Sequence, residues 1–125
     1  MPSLIQNPRR HDITFHANGK IDISAHIARK LSLRPGDVID VVVDENGEWL
    51  LCVKFRSGCY SGRYEGTVYS TTKKYRSGTF RTWCRSLCEK ALTAAGQVNR
   101  LRCPCGEIIE RDNKLYITII YRCSL

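Results

Sequence analysis

Seven cysteines and three histidines are the groups of this 125-residue chain with the widest chemical range. Cys84 and Cys88 are one helical turn apart, and Cys103 and Cys105 are close in sequence, so these four thiols are the zinc candidate. Their spacing opposes it. A zinc knuckle places roughly two to four residues between its cysteines, and Cys103-Pro104-Cys105-Gly106 has only Pro104, too little for a loop to wrap a metal. Cys84 also falls on an apolar helical face, where a reduced cysteine behaves as a small hydrophobe. The thiols are therefore read as reduced groups in the core or at a sheet edge, with no metal and no cofactor. Cys88 shares a helical wheel sector with Arg81 and Arg85, whose charge would favour its thiolate. His11, His16 and His26 are scattered and read as surface or turn residues. There is no Gly-rich phosphate loop, no G-x-S-x-G and no H-E-x-x-H, and the nearest grouping of carboxylates and imidazole is Asp12, His16 and Asp22. The expectation is a protein that is not an enzyme.

The remaining chemistry is cationic. Twenty Lys and Arg against twelve Asp and Glu give a net charge of +8, and the excess is segregated. Residues 1 to 55 hold seven of each sign, whereas residues 56 to 125 hold thirteen cations and five anions, all six tyrosines and six of the seven cysteines. Arg63-Tyr64, Lys73-Lys74-Tyr75-Arg76, Tyr116 and Tyr121-Arg122 mix cations with rings, a composition suited to phosphates and to unpaired bases. A hydrophobic share of 42% with 26% charged residues is that of a folded domain. No stretch approaches the roughly 18 apolar residues of a membrane span. The start lacks the apolar run of a secretory signal and the cysteine count is odd, so a cytoplasmic protein is expected.

The elements that must position these groups divide at the Ser/Gly-rich passage from Arg56 to Gly62. Residues 1–12 read as an N-terminal arm, 13–55 as one unit, 56–62 as a linker and 63–125 as a basic α+β unit. In the first unit Ile13-Thr14-Phe15 and Lys20 to Ile23 form a hairpin about Asn18-Gly19, a pair that tolerates positive φ. Ser24 caps a helix through Lys30 that Leu33-Arg34-Pro35-Gly36-Asp37 terminates. Val38 to Val43 and Trp49 to Phe55 form a second hairpin about Asn46-Gly47. These last strands are apolar enough to be buried on both faces, and so small a unit cannot cover them. A second copy of the chain is the simplest cover.

That order of elements resembles the AbrB/MazE/SpoVT swapped-hairpin family. The resemblance covers about Ile13 to Phe55 and rests on Gly19-Lys20-Ile21-Asp22-Ile23, on Ala25-His26-Ile27-Ala28-Arg29-Lys30-Leu31, and on Leu33-Arg34-Pro35-Gly36-Asp37-Val38. It implies an intertwined homodimer in which two chains exchange hairpins to close one β-barrel, and a role as a DNA-binding transcriptional regulator or an antitoxin. The family's basic positions match Lys20, Arg29 and Lys30, which would face duplex DNA. Ser24 stands where the family often has Pro. Lys20 replaces a more usual Arg, keeping a charge for phosphate but losing the fork that reads guanine.

In the second half Arg63 to Thr71 reads as a strand, Lys73 to Gly78 as an exposed basic loop, and Thr79 to Ala95 as one helix ended by Gly96. The helix would pack on a sheet of 100–105, 107–111 and 115–122, with a turn at Asp112-Asn113. The fold class expected is mostly β with α+β: a dimeric swapped-hairpin barrel plus a small helix-on-sheet unit. Lys73, Lys74 and Arg76 would add phosphate contacts to those of Lys20, Arg29 and Lys30. The leading expectation is a homodimeric DNA-binding regulator. The alternatives are an antitoxin with a toxin partner, for which this C-terminal half is unusually basic, and a dimeric module whose basic half binds RNA, single strands or a protein.

Overall fold

The computed structural model describes residues 12–71 and 78–121. Among them are nine strands and two short helices, in two antiparallel sheets. The expected mostly β, α+β character holds.

The first half forms as its local signals dictate. Strands β1 (Ile13–His16) and β2 (Lys20–Ile23) pair in register from Ile13 opposite Ile23 to Phe15 opposite Ile21. Gly19 turns between them at φ +99°, and a Cβ there would also lie 3.2 Å from the Arg85 backbone, so the turn needs glycine twice over. The Ser24 hydroxyl accepts the Ile27 N–H and caps helix α1 (Ala25–Lys30). Strands β3 (Val38–Val43) and β4 (Trp49–Phe55) follow as the second hairpin.

The second half departs from its expectation. Phe80 to Trp83 is a strand, β6 (Phe80–Trp83), and only Arg85 onward is helical, in α2 (Arg85–Ala95). The physical reason is the open edge of β2: β6 pairs with it from Lys20 opposite Trp83 to Ile23 opposite Phe80, which buries Phe80 and Thr82 alternately. Helix α2 ends at Gly96 in the left-handed region, as the sequence predicts. Of the strand expected over Arg63 to Thr71, only β5 (Tyr69–Ser70) forms, on the outer edge of β6.

The expected three-stranded C-terminal sheet is split between the two sheets. Strand β7 (Arg100–Cys103) pairs with β1. Strands β8 (Cys105–Arg111) and β9 (Lys114–Ile119) form a hairpin whose turn residues, Asp112 and Asn113, both have positive φ. Strand β9 then pairs with β4, from Trp49 opposite Ile119 to Cys52 opposite Tyr116. The sheet orders are β5-β6-β2-β1-β7 and β3-β4-β9-β8. Helix α2 packs on β1, β2 and β7, not on a sheet of its own half.

One core joins both sheets and both helices. Ile13, Phe15, Ile21, Ile27 and Leu51 meet Phe80, Cys88, Ala91, Cys103 and Ile117 in it, each nearly or fully inaccessible to water. Leu51 of β4 and Ile39 of β3 thus find partners inside the chain, whereas Val42 and Val43 at the end of β3 stay 36% and 61% exposed. The passage read as a linker is built into the fold too. Arg56 donates to Asp37 Oδ2 and to the carbonyls of Leu31 and Ser32, each at 2.9 Å, and so satisfies the C-terminal end of α1. Ser57 N–H donates to Asp37 Oδ1 at 2.7 Å, and the Tyr60 hydroxyl to the Gly36 carbonyl at 2.6 Å. No helix among the described residues is long and apolar enough to cross a membrane.

Candidate nucleic-acid interface

Alternation along five short strands puts a set of cations on the outer face of the first sheet. In β7 Leu101 and Cys103 point into the core, so Arg100 and Arg102 point out. In β1 and β2 the outward residues are Thr14, His16, Lys20 and Asp22; in β6 they are Arg81 and Trp83. The registers place these side chains in two rows. Tyr69, Arg81, Asp22, Thr14 and Arg102 form one, each opposite the next. Trp83 and Lys20 stand opposite each other in the second row, and His16 stands opposite Arg100.

Four cations therefore share this face with one carboxylate, and that carboxylate is engaged. Arg81 Nε donates to Asp22 Oδ1 at 2.6 Å, and His16 Nε2 lies 3.0 Å from Asp22 Oδ2. Partial burial pushes the Asp22 carboxyl up, but the bonds from Arg81 and His16, with the charges of Arg81 and Lys20, outweigh it and hold the group below its ordinary value. The same contact raises Arg81. Lys20, Arg100 and Arg102 remain for an outside anion.

The face also carries rings. Trp83 is 47% exposed and Tyr69 43%, and the indole N–H donates to the Tyr69 hydroxyl at 3.1 Å, which fixes the two rings relative to each other. Exposed aromatic rings beside cations can stack on bases while the cations take phosphates.

Of the residues singled out from sequence, Lys20 is on this face, half-buried at the start of β2. Arg29 and Lys30 are exposed in the last turn of α1, beyond the opposite end of β2, on a helix and not on the sheet. Lys73, Lys74 and Arg76 lie outside the described residues; Thr71 N–H donates to the Thr79 carbonyl at 3.0 Å on either side of them. The tyrosines expected beside cations are mostly used in packing. Tyr121 stacks on Trp49 with centroids 4.1 Å apart, and Tyr64 packs with Phe55 and Tyr60 at 5.1 and 5.3 Å.

The four cysteines weighed for zinc do not gather into one site. Cys84 stands at the N-cap position of α2 without a side-chain capping bond, Cys88 is buried on α2 with its thiol against the Lys20 carbonyl at 3.5 Å, Cys103 is buried in β7, and Cys105 starts β8. Among the described residues no three His, Cys, Asp or Glu side chains gather as a metal would require. Burial raises the Cys88 thiol to about 11, with Cys84 adding to the shift. The thiolate expected from Arg81 and Arg85 is thus disfavoured by burial, and Arg81 lies on a strand, paired with Asp22. Burial likewise raises Cys105 to about 12, helped by Asp12. Asp12, expected in the arm, is itself 4% exposed and accepts the Cys105 N–H at 2.9 Å.

Arg81, Trp83, Arg100 and Arg102 escaped the sequence reading. A signal existed: Arg100-Leu101-Arg102-Cys103 alternates cation and apolar residue. Arg81 and Trp83 carried none separable from the helix that follows. No family model, no curated protein and no solved structure matches this chain.

Proposed function

We propose that the protein binds DNA through the outer face of the five-stranded sheet, as a sequence-reading or architectural regulator of the kind the AbrB-like resemblance implies. The observation that carries the reading is the placement of Lys20, Arg81, Arg100 and Arg102 on one sheet face with a single, already engaged carboxylate. Such a face attracts any acidic surface, as a +8 chain does in general, but its spacing suits a polyanion with regularly placed phosphates. Arg100 and Arg102 are two residues apart on a strand, roughly 6.5 Å, close to the spacing of successive phosphates along one nucleic-acid strand. Arginine at those positions also offers the two-pronged donor geometry that Lys20 lacks.

The test is the salt dependence of binding to duplex DNA, read by fluorescence anisotropy. Log affinity should fall linearly with log salt, and removal of any one phosphate-contacting cation should flatten the slope by about 1. A salt-indifferent curve overturns the reading. The exposed Trp83 and Tyr69 favour a second reading, single-stranded nucleic acid, since paired bases offer no face for stacking. Competition of duplex against single strands for the same protein separates the two.

A further inference from the structure

The chain repeats its own plan. A hairpin (β1-β2), a helix (α1) and a second hairpin (β3-β4) are followed by strands β5 and β6, a helix (α2), β7, and a hairpin (β8-β9). The second strands of corresponding pairs meet each other antiparallel at the middle of each sheet: β2 with β6 in the first, β4 with β9 in the second. Antiparallel pairing of equivalent strands is what a two-fold axis produces between identical subunits. Both helices start directly beyond these seam strands, at the caps Ser24 and Cys84.

The polar joints cross between halves as well. Arg81 binds Asp22, the Cys84 N–H donates to the Gly19 carbonyl at 2.8 Å, and the Cys105 N–H donates to Asp12. The passage that connects the halves is fastened at Arg56, Ser57 and Tyr60 to the loop after α1, which disfavours its opening into an exchange between copies.

We infer that the two halves of one chain stand in for two subunits, so that a monomer is the complete binding unit and its nucleic-acid face is a composite of both halves. Lys20, Asp22 and His16 come from the first half, and Arg81, Trp83, Arg100 and Arg102 from the second. Neither half carries the face alone. The two sides of the seam also differ, with Arg81, Trp83 and Tyr69 on one and Lys20, His16, Arg100 and Arg102 on the other, so the unit has no need of a palindromic target. The composite face rests on the DNA-binding reading, while the monomer does not.

Two measurements on the full chain decide it. Light scattering after size exclusion, without nucleic acid, should give 14.3 kDa across the working concentration range. A mass of twice that value overturns the inference whether or not DNA binds. In the second, Lys20→Glu and Arg100→Glu variants, each weakened for a short duplex, are unfolded together, mixed and refolded. A composite face within one chain gives no recovery of affinity, because every molecule keeps one defect. A dimer that exchanges halves would assemble intact faces from the undamaged halves, and recovery of wild-type affinity in part of the mixture overturns the inference. If neither variant weakens binding, the DNA-binding reading fails, and the mass still decides the monomer.

Discussion

The two sheets share a construction and differ in what they turn outward. In the first, the residues pointing away from the core include Lys20, Asp22, Arg81, Arg100 and Arg102 with two exposed rings. In the second, Leu50 and Cys52 point away from the main core yet are only 3% and 1% exposed, set between Val42 and Thr118 and between Asp40 and Tyr116. Leu50 and Cys52 are thus closed off within an outward face whose neighbouring Val42 is still 36% exposed, whereas the outward face of the first sheet is ionic and open. The +8 charge is distributed accordingly: the nucleic-acid reading rests on one face, where cations outnumber carboxylates and rings stand free, and not on the excess as a whole.

The contrast can be broken most strongly from inside. Leu51 is fully buried at the β4-β9 seam opposite Ile117 and Val41. Leu51→Ala should cost about 3 kcal/mol in urea unfolding, through lost burial and the cavity left behind. Asp37→Ala should cost about 2 to 3 kcal/mol by the same measurement, since it strips acceptors from the Arg34 and Ser57 N–H groups and from Arg56.

Outer-face substitutions sharpen the comparison. Arg100→Ala and Arg102→Ala should leave unfolding within about 0.5 kcal/mol and each flatten the salt slope of DNA binding by about 1. Lys54→Ala and Lys114→Ala, on the other sheet, should leave that slope unchanged. If the second pair matters as much as the first, the interface is misplaced.

A smaller effect lies in acid. The Asp22 carboxyl is lowered in the fold, so its contribution is present at neutral pH and is lost as the solution is acidified through the lowered value. The wild-type stability curve should fall there more steeply than that of Asp22→Asn. The smallest effect is kinetic: at pH 8 the raised thiols Cys88 and Cys105 should alkylate slowly, and exposed Cys59 ahead of both, as peptide mapping would show.

The first half was legible because its instructions are local. Asn18-Gly19, Ser24, Pro35-Gly36 and Asn46-Gly47 each fix a turn or a cap by short-range chemistry, and the structure places an element boundary at every one. Phe80 to Trp83 was not legible. Its apolar residues also fit the helical period of the residues that follow, and only the vacant edge of β2 makes it a strand. For the candidate site, Lys20 could be located from its turn. Arg81 and Arg102 could not, because their relation to Asp22 and Thr14 depends on partners 59 and 88 positions away in the chain.

The sequence by itself determined the turns, the cap at Ser24, the stop at Gly96 and the segregation of charge, the first three set by neighbours a few residues apart. The tertiary structure alone decided that the halves interleave, that β7 leaves β8 and β9 for the other sheet, and that cations from both halves meet on one face. Strand pairing satisfies backbone hydrogen bonds at whichever compatible edge burial makes available, and that choice belongs to the whole chain.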